Sequence, residues 1–311
     1  MPLDPRAQRF LERLSASNPQ NALALTVAAR RAALADLLGM SATPVPVERI
    51  EDRALPGPAG PIPMRIYTPV GAPATAATGL VYFHGGGFVA GSLDTHDRIA
   101  RALANACGAR VISIGYRLAP EHPFPAAIED GCTAARFVAE HAPTLGVDAA
   151  RLAIGGDSAG ATLAAVVCQT TAANGSVRWA QQLLLCPIMD FRAATASRAE
   201  FASGYFLDHA TLEHDLKHYL GSDADPADPR VSPLRARDLS HLPPTCVHTA
   251  EFDPLRDEGA EYARRLERAG VPTLYRCHSG MIHLFYGMGA FIPYAARGFE
   301  LIGADVRALL A

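Results

Sequence analysis

The residues best placed to do chemistry lie in the pentapeptide Gly-Asp-Ser-Ala-Gly at positions 156–160, which fits the pattern G-x-S-x-G. An apolar stretch precedes it and a run of small residues follows it, so the serine is expected on a tight strand-to-helix turn. Such a turn exposes the hydroxyl, and the helix behind it offers free N–H groups and a positive dipole end. The pattern predicts Ser158 as a nucleophile. The alternative is a glycine-rich helix start that Ser158 only caps.

A second cluster, His-Gly-Gly-Gly-Phe at positions 84–88, follows another apolar stretch upstream of the serine. Consecutive glycines let the backbone approach a ligand closely and aim its N–H groups at the oxyanion of an acyl-transfer intermediate. We expect the amides of Gly85, Gly86 and Ala159 to form this oxyanion hole. The dinucleotide pattern G-x-G-x-x-A also fits here, but no helix is predicted to start at the loop. A purely structural glycine turn is the other alternative.

A serine hydroxyl is a poor nucleophile until a neighbouring base takes its proton. With G-x-S-x-G on a strand-to-helix turn, the chain order of the partners is serine, then acid, then histidine. Asp253 follows one predicted strand and His283 follows the last one. We predict that His283 is the general base and that Asp253 orients it. Glu251 and Asp257 are the rival carboxylates, His278 is the rival histidine, and Asp253 before a proline also suits a helix N-cap.

The composition argues against several other chemistries. Lys217 is the only lysine, it lies in a polar stretch with a helical pattern, and no Gly-Lys pair occurs, so both P-loop and lysine Schiff-base chemistry are disfavoured. A formal net charge of −3 gives no basic footprint for nucleic acid. The six cysteines stand singly, without C-x-x-C, and are predicted to be small buried residues in a reducing compartment.

A metal site is the alternative for one polar segment. His214 and His218 are four residues apart, with His209 and Asp215 close by, which superficially resembles a metal-binding helix face. No H-E-x-x-H pattern occurs, and the segment is predicted to be a solvated lid helix. We therefore predict no metal and no cofactor.

The catalytic candidates need a scaffold of alternating elements, and hydrophobic periodicity predicts one. Residues 5–39 are predicted to be helical, and residues 45–69 to form an antiparallel hairpin around a turn rich in glycine and proline. From residue 80 onward strands alternate with helices, which favours a mostly parallel sheet with helices on both faces. The polar stretch 190–242, with one predicted helix at 208–220, interrupts this alternation.

This interruption suggests a cap over the carboxyl ends of the strands, where ligands bind in such sheets. We expect N-terminal helices in residues 1–44 as part of the cap, a catalytic α/β domain in residues 45–189 and 243–311, and a cap insertion in residues 190–242. No secretory signal is visible and no apolar stretch is long enough to span a bilayer. We therefore expect a cytoplasmic location without membrane insertion.

With these residues placed, the chain closely resembles the hormone-sensitive-lipase-like family of bacterial esterases, family IV of the bacterial lipolytic enzymes, in its GDSAG subgroup. The resemblance rests on five stretches across most of the chain: 84–88, 116–127, 156–160, 253–259 and Gly280 with His283. It implies the α/β-hydrolase fold, an eight-stranded mostly parallel sheet flanked by helices, and a helical cap. It also implies the triad Ser158, Asp253 and His283.

The same resemblance implies an enzyme, a carboxylesterase that hydrolyses short- to medium-chain acyl esters of small molecules through a serine acyl-enzyme. It implies no cofactor, no metal and no nucleic-acid partner, and a possible homodimer. Other serine acyl-transfer reactions at the same site, by an amidase, lactonase or acyltransferase, stay open. A non-catalytic small-molecule receptor on the same scaffold is disfavoured because His283 is present.

An acyl group also needs an apolar wall. Six apolar residues near the motifs or in the expected cap are candidates for it, and ordinary core packing is the alternative for each of them. They are Phe88, Tyr205, Phe206, Leu207, Ile282 and Phe285.

Overall fold

A computed structural model describes residues 2–17, 26–40, 45–222 and 224–310 of the 311-residue chain. Over these residues eight strands form one sheet in the order β1-β2-β4-β3-β5-β6-β7-β8. The strands are β1 (Arg49–Leu55), β2 (Ile62–Thr68), β3 (Ala77–Phe83), β4 (Arg110–Ile114), β5 (Val147–Asp157), β6 (Gln181–Leu185), β7 (Thr245–Phe252) and β8 (Thr273–Ile282). Strand β2 runs antiparallel to both neighbours, and every pair from β4 to β8 is parallel. The expected eight-stranded, mostly parallel sheet is confirmed.

Nine α-helices accompany the sheet in the described ranges. They are α1 (Pro5–Ser17), α2 (Val27–Gly39), α3 (Asp97–Cys107), α4 (Ala126–Glu140), α5 (Ala159–Ala173), α6 (Ala196–Glu200), α7 (His209–Leu220), α8 (Arg256–Arg268) and α9 (Tyr294–Leu310). The predicted hairpin is confirmed, since Leu55 of β1 pairs with Ile62 of β2 across the turn. The short helix α6 was not predicted, because five residues are too few to show helical periodicity.

The central strands are buried on both sides, and their alternate residues enter two separate cores. Leu80 and Tyr82 of β3 pack with residues of α3 and α9, whereas Val81 and Phe83 pack with residues of α4, α5 and α8. Side chains along a strand alternate between its faces, so a continuous apolar run signals burial on both faces. The helices on both faces confirm the layered architecture that the alternation predicted.

Helices α1 and α2 lie over the sheet together with part of the 190–242 stretch. Phe10 of α1 packs against Phe206, with ring centroids 6.1 Å apart, and Arg30 of α2 pairs with Asp215 of α7. Positions 1, 18–25 and 41–44 of the expected N-terminal cap segment lie outside the described residues.

The end of the 190–242 stretch packs elsewhere. The carbonyl of Leu234 accepts a bond from Arg265 of α8, and the carbonyl of Pro233 accepts one from Gln169 of α5 at 3.3 Å. Leu239 and Leu242 are buried in the core on the same face. The stretch therefore has two parts: one, including α7, meets the N-terminal helices, and the other covers the α5–α8 face.

Two further properties concern membrane-spanning helices and cysteine pairing. No helix in the described residues is long and apolar enough to cross a membrane. All six cysteines are unpaired; five are buried and Cys277 is half-buried.

Helices α3 and α9 cross closely at one glycine, which gives a test of the packing. A Cβ added to Gly303 would overlap the backbone carbonyl of Ala106, whereas a Cβ on Gly39 at the end of α2 meets no atom within 4 Å. We expect Gly303→Ala to lower the free energy of unfolding by about 2 kcal/mol, because rigid backbone must move apart. Gly39→Ala is the control and is expected to leave stability unchanged or slightly raised. Urea titration followed by circular dichroism measures both; equal midpoints for the two variants would contradict the crossing.

Candidate active site

Ser158 lies on a sharp turn between β5 and α5. Its backbone has φ 51° and ψ −123°, a conformation that residues with a side chain rarely adopt. A Cβ on Gly156 would overlap the carbonyl of Gly160, and a Cβ on Gly160 would overlap the carbonyl of Phe83 at the end of β3. Both glycines are thus required for the close backbone approach. The Ser158 side chain makes no helix-capping hydrogen bond, so the alternative that Ser158 only caps the helix is wrong.

Three side chains that are distant in sequence form one hydrogen-bond chain at this turn. The Ser158 Oγ lies 3.1 Å from His283 Nε2, and His283 Nδ1 lies 2.8 Å from Asp253 Oδ2. All three residues are buried, which strengthens these bonds relative to water. The other carboxylate oxygen of Asp253 accepts the amide of Leu255 at 2.9 Å. Asp253 therefore orients His283 and also supports the start of α8. The arrangement can remove the hydroxyl proton through the imidazole.

The rival residues are engaged elsewhere. His278 Nε2 lies 3.1 Å from His248 Nδ1, and burial lowers the pKa of His278 to about 4. The carboxylate of Glu251 accepts the amide of Gly280 at 2.7 Å. Asp257 accepts the amide of Ser197 at 2.8 Å.

The set of amides expected to form the oxyanion hole requires one correction. The amide of Gly85, expected to face the oxyanion, donates to Asp157 Oδ1 at 3.0 Å and is therefore unavailable. Gly86 and Gly87 instead line the cavity that holds Ser158. Within the described part of the chain, no protein acceptor takes either of their amides. Because the first amides of a helix lack intrahelical acceptors, the amide of Ala159 is the third candidate donor.

Asp157 explains why the donor set shifts by one residue. This carboxylate is fully buried and accepts the Tyr82 hydroxyl as well as the Gly85 amide, and its Oδ2 lies 3.4 Å from His96 Nε2. Burial opposes ionisation, but His96 and Tyr82 outweigh it and hold the pKa of Asp157 below its usual range. Asp157 thereby anchors the loop of Gly85, Gly86 and Gly87, the glycine loop, to the turn that carries Ser158.

The loop is also supported from its other side. The hydroxyl of Tyr116 donates to the carbonyl of His84 at 2.6 Å, and the two rings stack with centroids 4.4 Å apart. Burial lowers the pKa of His84 to about 4, so this histidine is neutral at pH 7. Neither side chain lines the cavity, and we assign both a supporting part.

A cavity of about 340 Å³ opens above Ser158 and His283. Two of the six predicted wall residues, Phe206 and Leu207, line it. Phe206 also packs on the imidazole of His283, with ring centroids 6.5 Å apart.

The other four predicted wall residues do not line the cavity, which corrects the expectation for them: Phe88, Ile282 and Phe285 are buried in the core, and Tyr205 is half-buried. Phe88 stacks on Tyr219 at 3.9 Å between ring centroids, and Tyr205 stacks on Phe252 at 5.7 Å. Ile282 and Phe285 are fully buried under the turn that carries His283. Apolar residues near a motif can pack beneath it or face the ligand, and proximity in sequence does not separate the two cases.

Most of the remaining wall was not predicted. It comes from the N-terminal helices, from α7 and from the loop that follows β6. The apolar residues of these segments show only an ordinary core pattern in the sequence. These residues include Leu11, Leu14, Leu34, Leu37, Ile188, Phe191, Thr211 and Leu212. Arg30 and Asp215 also line the cavity, and no signal in the sequence connected them to it.

The histidines of α7 do not assemble a metal site. His209 pairs with Glu213, His214 pairs with Asp215, and a ring nitrogen of His218 lies 2.8 Å from the carbonyl of His214. Over the described ranges, the one group of three or more potential metal ligands is Cys186, Asp253 and His283. Two of these residues already form the hydrogen-bond chain with Ser158.

Comparisons with known proteins agree with this geometry. A family model described as the α/β-hydrolase fold matches residues 80–287. The carboxylic ester hydrolase LipN of Mycobacterium tuberculosis is 43% identical over 270 residues, covering 84% of this chain and 71% of LipN. The arylesterase of Saccharolobus solfataricus is 37% identical over 289 residues, covering 92% and 93%. An ester hydrolase from the metagenome of Lake Arreo, solved with a derivative of bipyridine phosphonate, superposes with a TM-score of 0.95 at 42% identity, covering 98% of each chain.

Asp157 should affect turnover by positioning the glycine loop. We expect Asp157→Asn to lower kcat about 10- to 100-fold with little change in KM, since the variant loses the charge that holds the Gly85 amide and thereby positions Gly86 and Gly87. Asp130→Asn is the matched control, because Asp130 is an equally buried carboxylate whose partner is Arg117. Steady-state kinetics with p-nitrophenyl butanoate measure both variants; an unchanged kcat in Asp157→Asn would contradict the positioning role.

Proposed function

The chain belongs to the α/β-hydrolase-fold family, in its hormone-sensitive-lipase-like branch, and is a carboxylic ester hydrolase; we propose that Ser158, His283 and Asp253 carry out its reaction. The observation that supports this assignment best is the continuous hydrogen-bond chain from the Ser158 hydroxyl to the Asp253 carboxylate at the floor of the cavity. Its order is the one that an activated serine nucleophile requires.

In the proposed mechanism, Ser158 Oγ attacks the ester carbonyl while His283 Nε2 takes the hydroxyl proton. The carbonyl oxygen becomes an oxyanion that accepts the amides of Gly86, Gly87 and Ala159. The protonated imidazole then gives its proton to the departing alcohol, which leaves an acyl group on the serine. A water molecule, deprotonated by the same imidazole, then attacks the acyl carbonyl; the bond to Ser158 Oγ breaks, the imidazolium returns its proton to that oxygen, and the carboxylic acid leaves. Asp253 holds the imidazole in one orientation and stabilises its positive charge throughout.

We further propose short- to medium-chain acyl esters as substrates. The cavity of about 340 Å³ lies near the lower end of the 300–1,000 Å³ typical of small-molecule sites, and most of its wall is apolar. A small, mostly apolar cavity favours a modest acyl chain, because a long chain would extend beyond it into solvent. An amidase, lactonase or acyltransferase activity at the same serine is the second candidate, because the triad chemistry is shared. Comparing kcat/KM for p-nitrophenyl butanoate and p-nitrobutyranilide separates ester from amide preference.

The organisation of the chain is proposed on the same basis. We propose that residues 1–44 and the first part of 190–242 form the cap, and that residues 45–189 and 243–311 form the catalytic domain. The residue at the second position of the pentapeptide, Asp157, favours the GDSAG subgroup.

We also propose a cytoplasmic location, which the six unpaired cysteines suit. A homodimer is proposed through the open edge of β8, where Tyr275 is exposed.

Removing the proposed nucleophile should abolish turnover without unfolding the chain. We expect Ser158→Ala to lower kcat for p-nitrophenyl butanoate by at least about 10³-fold, because no acyl-enzyme forms. Ser113→Ala is the control, since it deletes another buried hydroxyl, in β4, away from the cavity. Circular dichroism checks the fold of each variant. Turnover that survives in folded Ser158→Ala would overturn the assignment.

The acyl preference has its own test. Across p-nitrophenyl acetate, butanoate, octanoate and palmitate, we expect kcat/KM to be highest for butanoate or octanoate and lowest for palmitate, because a cavity of about 340 Å³ buries a short or medium acyl chain more completely than a C16 chain. Initial rates below the solubility limit of each ester, with a fixed detergent concentration in every assay, measure the series. A value that keeps rising to palmitate would contradict the proposed substrate range.

A further inference from the structure

The cavity that holds Ser158 contains more carboxylates than permanent cations. Among the described residues that line it, three are aspartates and one is an arginine: Asp157, Asp208, Asp215 and Arg30. The proposed reaction adds a further negative charge there, because the ester carbonyl oxygen becomes an oxyanion beside the loop amides. Like charges repel strongly where little water screens them. A carboxylate close to the oxyanion therefore raises the barrier unless a positive charge cancels it.

Asp215 of α7 is a carboxylate that touches the glycine loop. A Cβ on Gly87 would overlap Asp215 Oδ2, so this oxygen rests directly on the backbone of the loop. The amide of Gly87 is one of the proposed oxyanion donors, and Gly87 and Asp215 line the same cavity. The negative charge of Asp215 thus lies next to the position where the oxyanion forms.

Arg30 of α2 pairs with that same carboxylate oxygen. Its Nη2 lies 3.0 Å from Asp215 Oδ2, and the two side chains are 15% and 7% exposed. The other oxygen of Asp215 lies 3.0 Å from His214 Nδ1. Two opposite charges this close to each other nearly cancel in the field that a third charge experiences. Arg30 therefore neutralises the carboxylate at the atom that meets the loop.

We propose that Arg30 supports catalysis through Asp215: its guanidinium cancels the charge of the carboxylate that rests on the glycine loop, so that the carboxylate can buttress the loop without opposing the oxyanion. Arg30 is a positioning residue in this proposal, since it binds Asp215 and needs no contact with the substrate. The effect applies to acylation and to deacylation, because both steps pass through an oxyanion. This inference rests on the proposed function at Ser158.

A boronic acid measures the effect of charge without turnover. When butylboronic acid binds, Ser158 Oγ forms a bond to boron, the hydroxyl proton passes to His283 Nε2, and the boron becomes a tetrahedral anion. Its inhibition constant Ki therefore reports how well the site accepts a negative charge. N-Butylbutanamide, an uncharged analogue of a short ester, is the reference ligand. All assays are run at pH 8, where imidazoles in water are neutral.

Two single variants are expected to change the Ki of butylboronic acid in opposite directions. Arg30→Gln leaves the charge of Asp215 uncancelled, so we expect this Ki to rise about tenfold and kcat for p-nitrophenyl butanoate to fall about tenfold, with little change in KM or in the Ki of the amide. Asp215→Asn leaves the charge of Arg30 uncancelled, so the Ki of the boronic acid is expected to fall about threefold. The double variant should return close to the unchanged enzyme.

Two further variants serve as controls. Arg30→Lys keeps the positive charge and is expected to hold kcat within about threefold of the unchanged enzyme. Arg276→Gln breaks a different ion pair, with Asp305, which joins β8 to α9, and neither residue lines the cavity. It is expected to leave both Ki values unchanged. Titration with diethyl p-nitrophenyl phosphate counts the reactive serines, so that kcat refers to folded enzyme in every variant.

The outcomes separate a charge effect from a structural one. An ion pair that only ties α2 to α7 is lost in both single variants, and both would then bind the two ligands more weakly. A higher Ki of the boronic acid in Asp215→Asn, or an unchanged one in Arg30→Gln, would overturn the proposal. If Arg30→Gln does not fold, the sign of the change in Asp215→Asn decides alone. An unchanged enzyme that neither hydrolyses the ester nor binds the boronic acid would instead count against the proposed function.

Discussion

The backbone of Gly160 lies directly against the carbonyl oxygens at the end of β3, and the arrangement of the whole site depends on this contact. It brings the turn after β5 against the loop after β3, so the candidate nucleophile and the loop amides become neighbours. Neither segment could approach so closely with a side chain in between. The positive φ of Ser158 is tolerated because the sheet, the helix and this contact all hold the turn from different sides.

Buried charge is compensated locally throughout this region. The Oδ1 of Asp157 accepts the Tyr82 hydroxyl and the Gly85 amide, and its Oδ2 lies 3.4 Å from His96 Nε2 without a hydrogen bond. The two carboxylate oxygens of Asp253 are bound by His283 and Leu255. On the other side of the sheet, burial raises the pKa of Glu258 to about 7, although Arg198 and the amides of Met189 and Asp190 oppose that rise. A buried carboxylate without such partners would cost more than the surrounding packing returns. These carboxylates therefore fix the loops that surround the cavity.

Much of this arrangement was predictable from the sequence. Strands β3 to β6 and the long helices followed from apolar runs and periodicity, and the three members of the hydrogen-bond chain followed from their order after predicted strands. The prediction for the Gly85 amide is wrong because the side chain of Asp157, an unspecified position of the G-x-S-x-G pattern, accepts that amide. A pattern of residue types does not show where one carboxylate points.

The cavity wall could not be predicted in the same way. Leu34, Leu37 and Leu212 carry the same helical periodicity whether they face a core or a ligand, and only the packing of α2 against α7 separates the cases. Phe88 and Tyr205 show the converse, since one stands next to the glycines at 85–87 and the other in the expected cap, yet each stacks on another aromatic residue and does not line the cavity. Arg30 and Asp215 are 185 positions apart, and nothing in the spacing indicated their contact.

The separation between floor and walls has an evolutionary consequence. The reacting groups belong to strand ends and turns that the two cores hold rigidly, while most of the wall belongs to α1, α2 and α7. Mutations in those three helices can change which ester fits without altering the bond-breaking machinery. Proteins that descend from a common ancestor with this layout can therefore differ in the esters they accept while they keep one reaction.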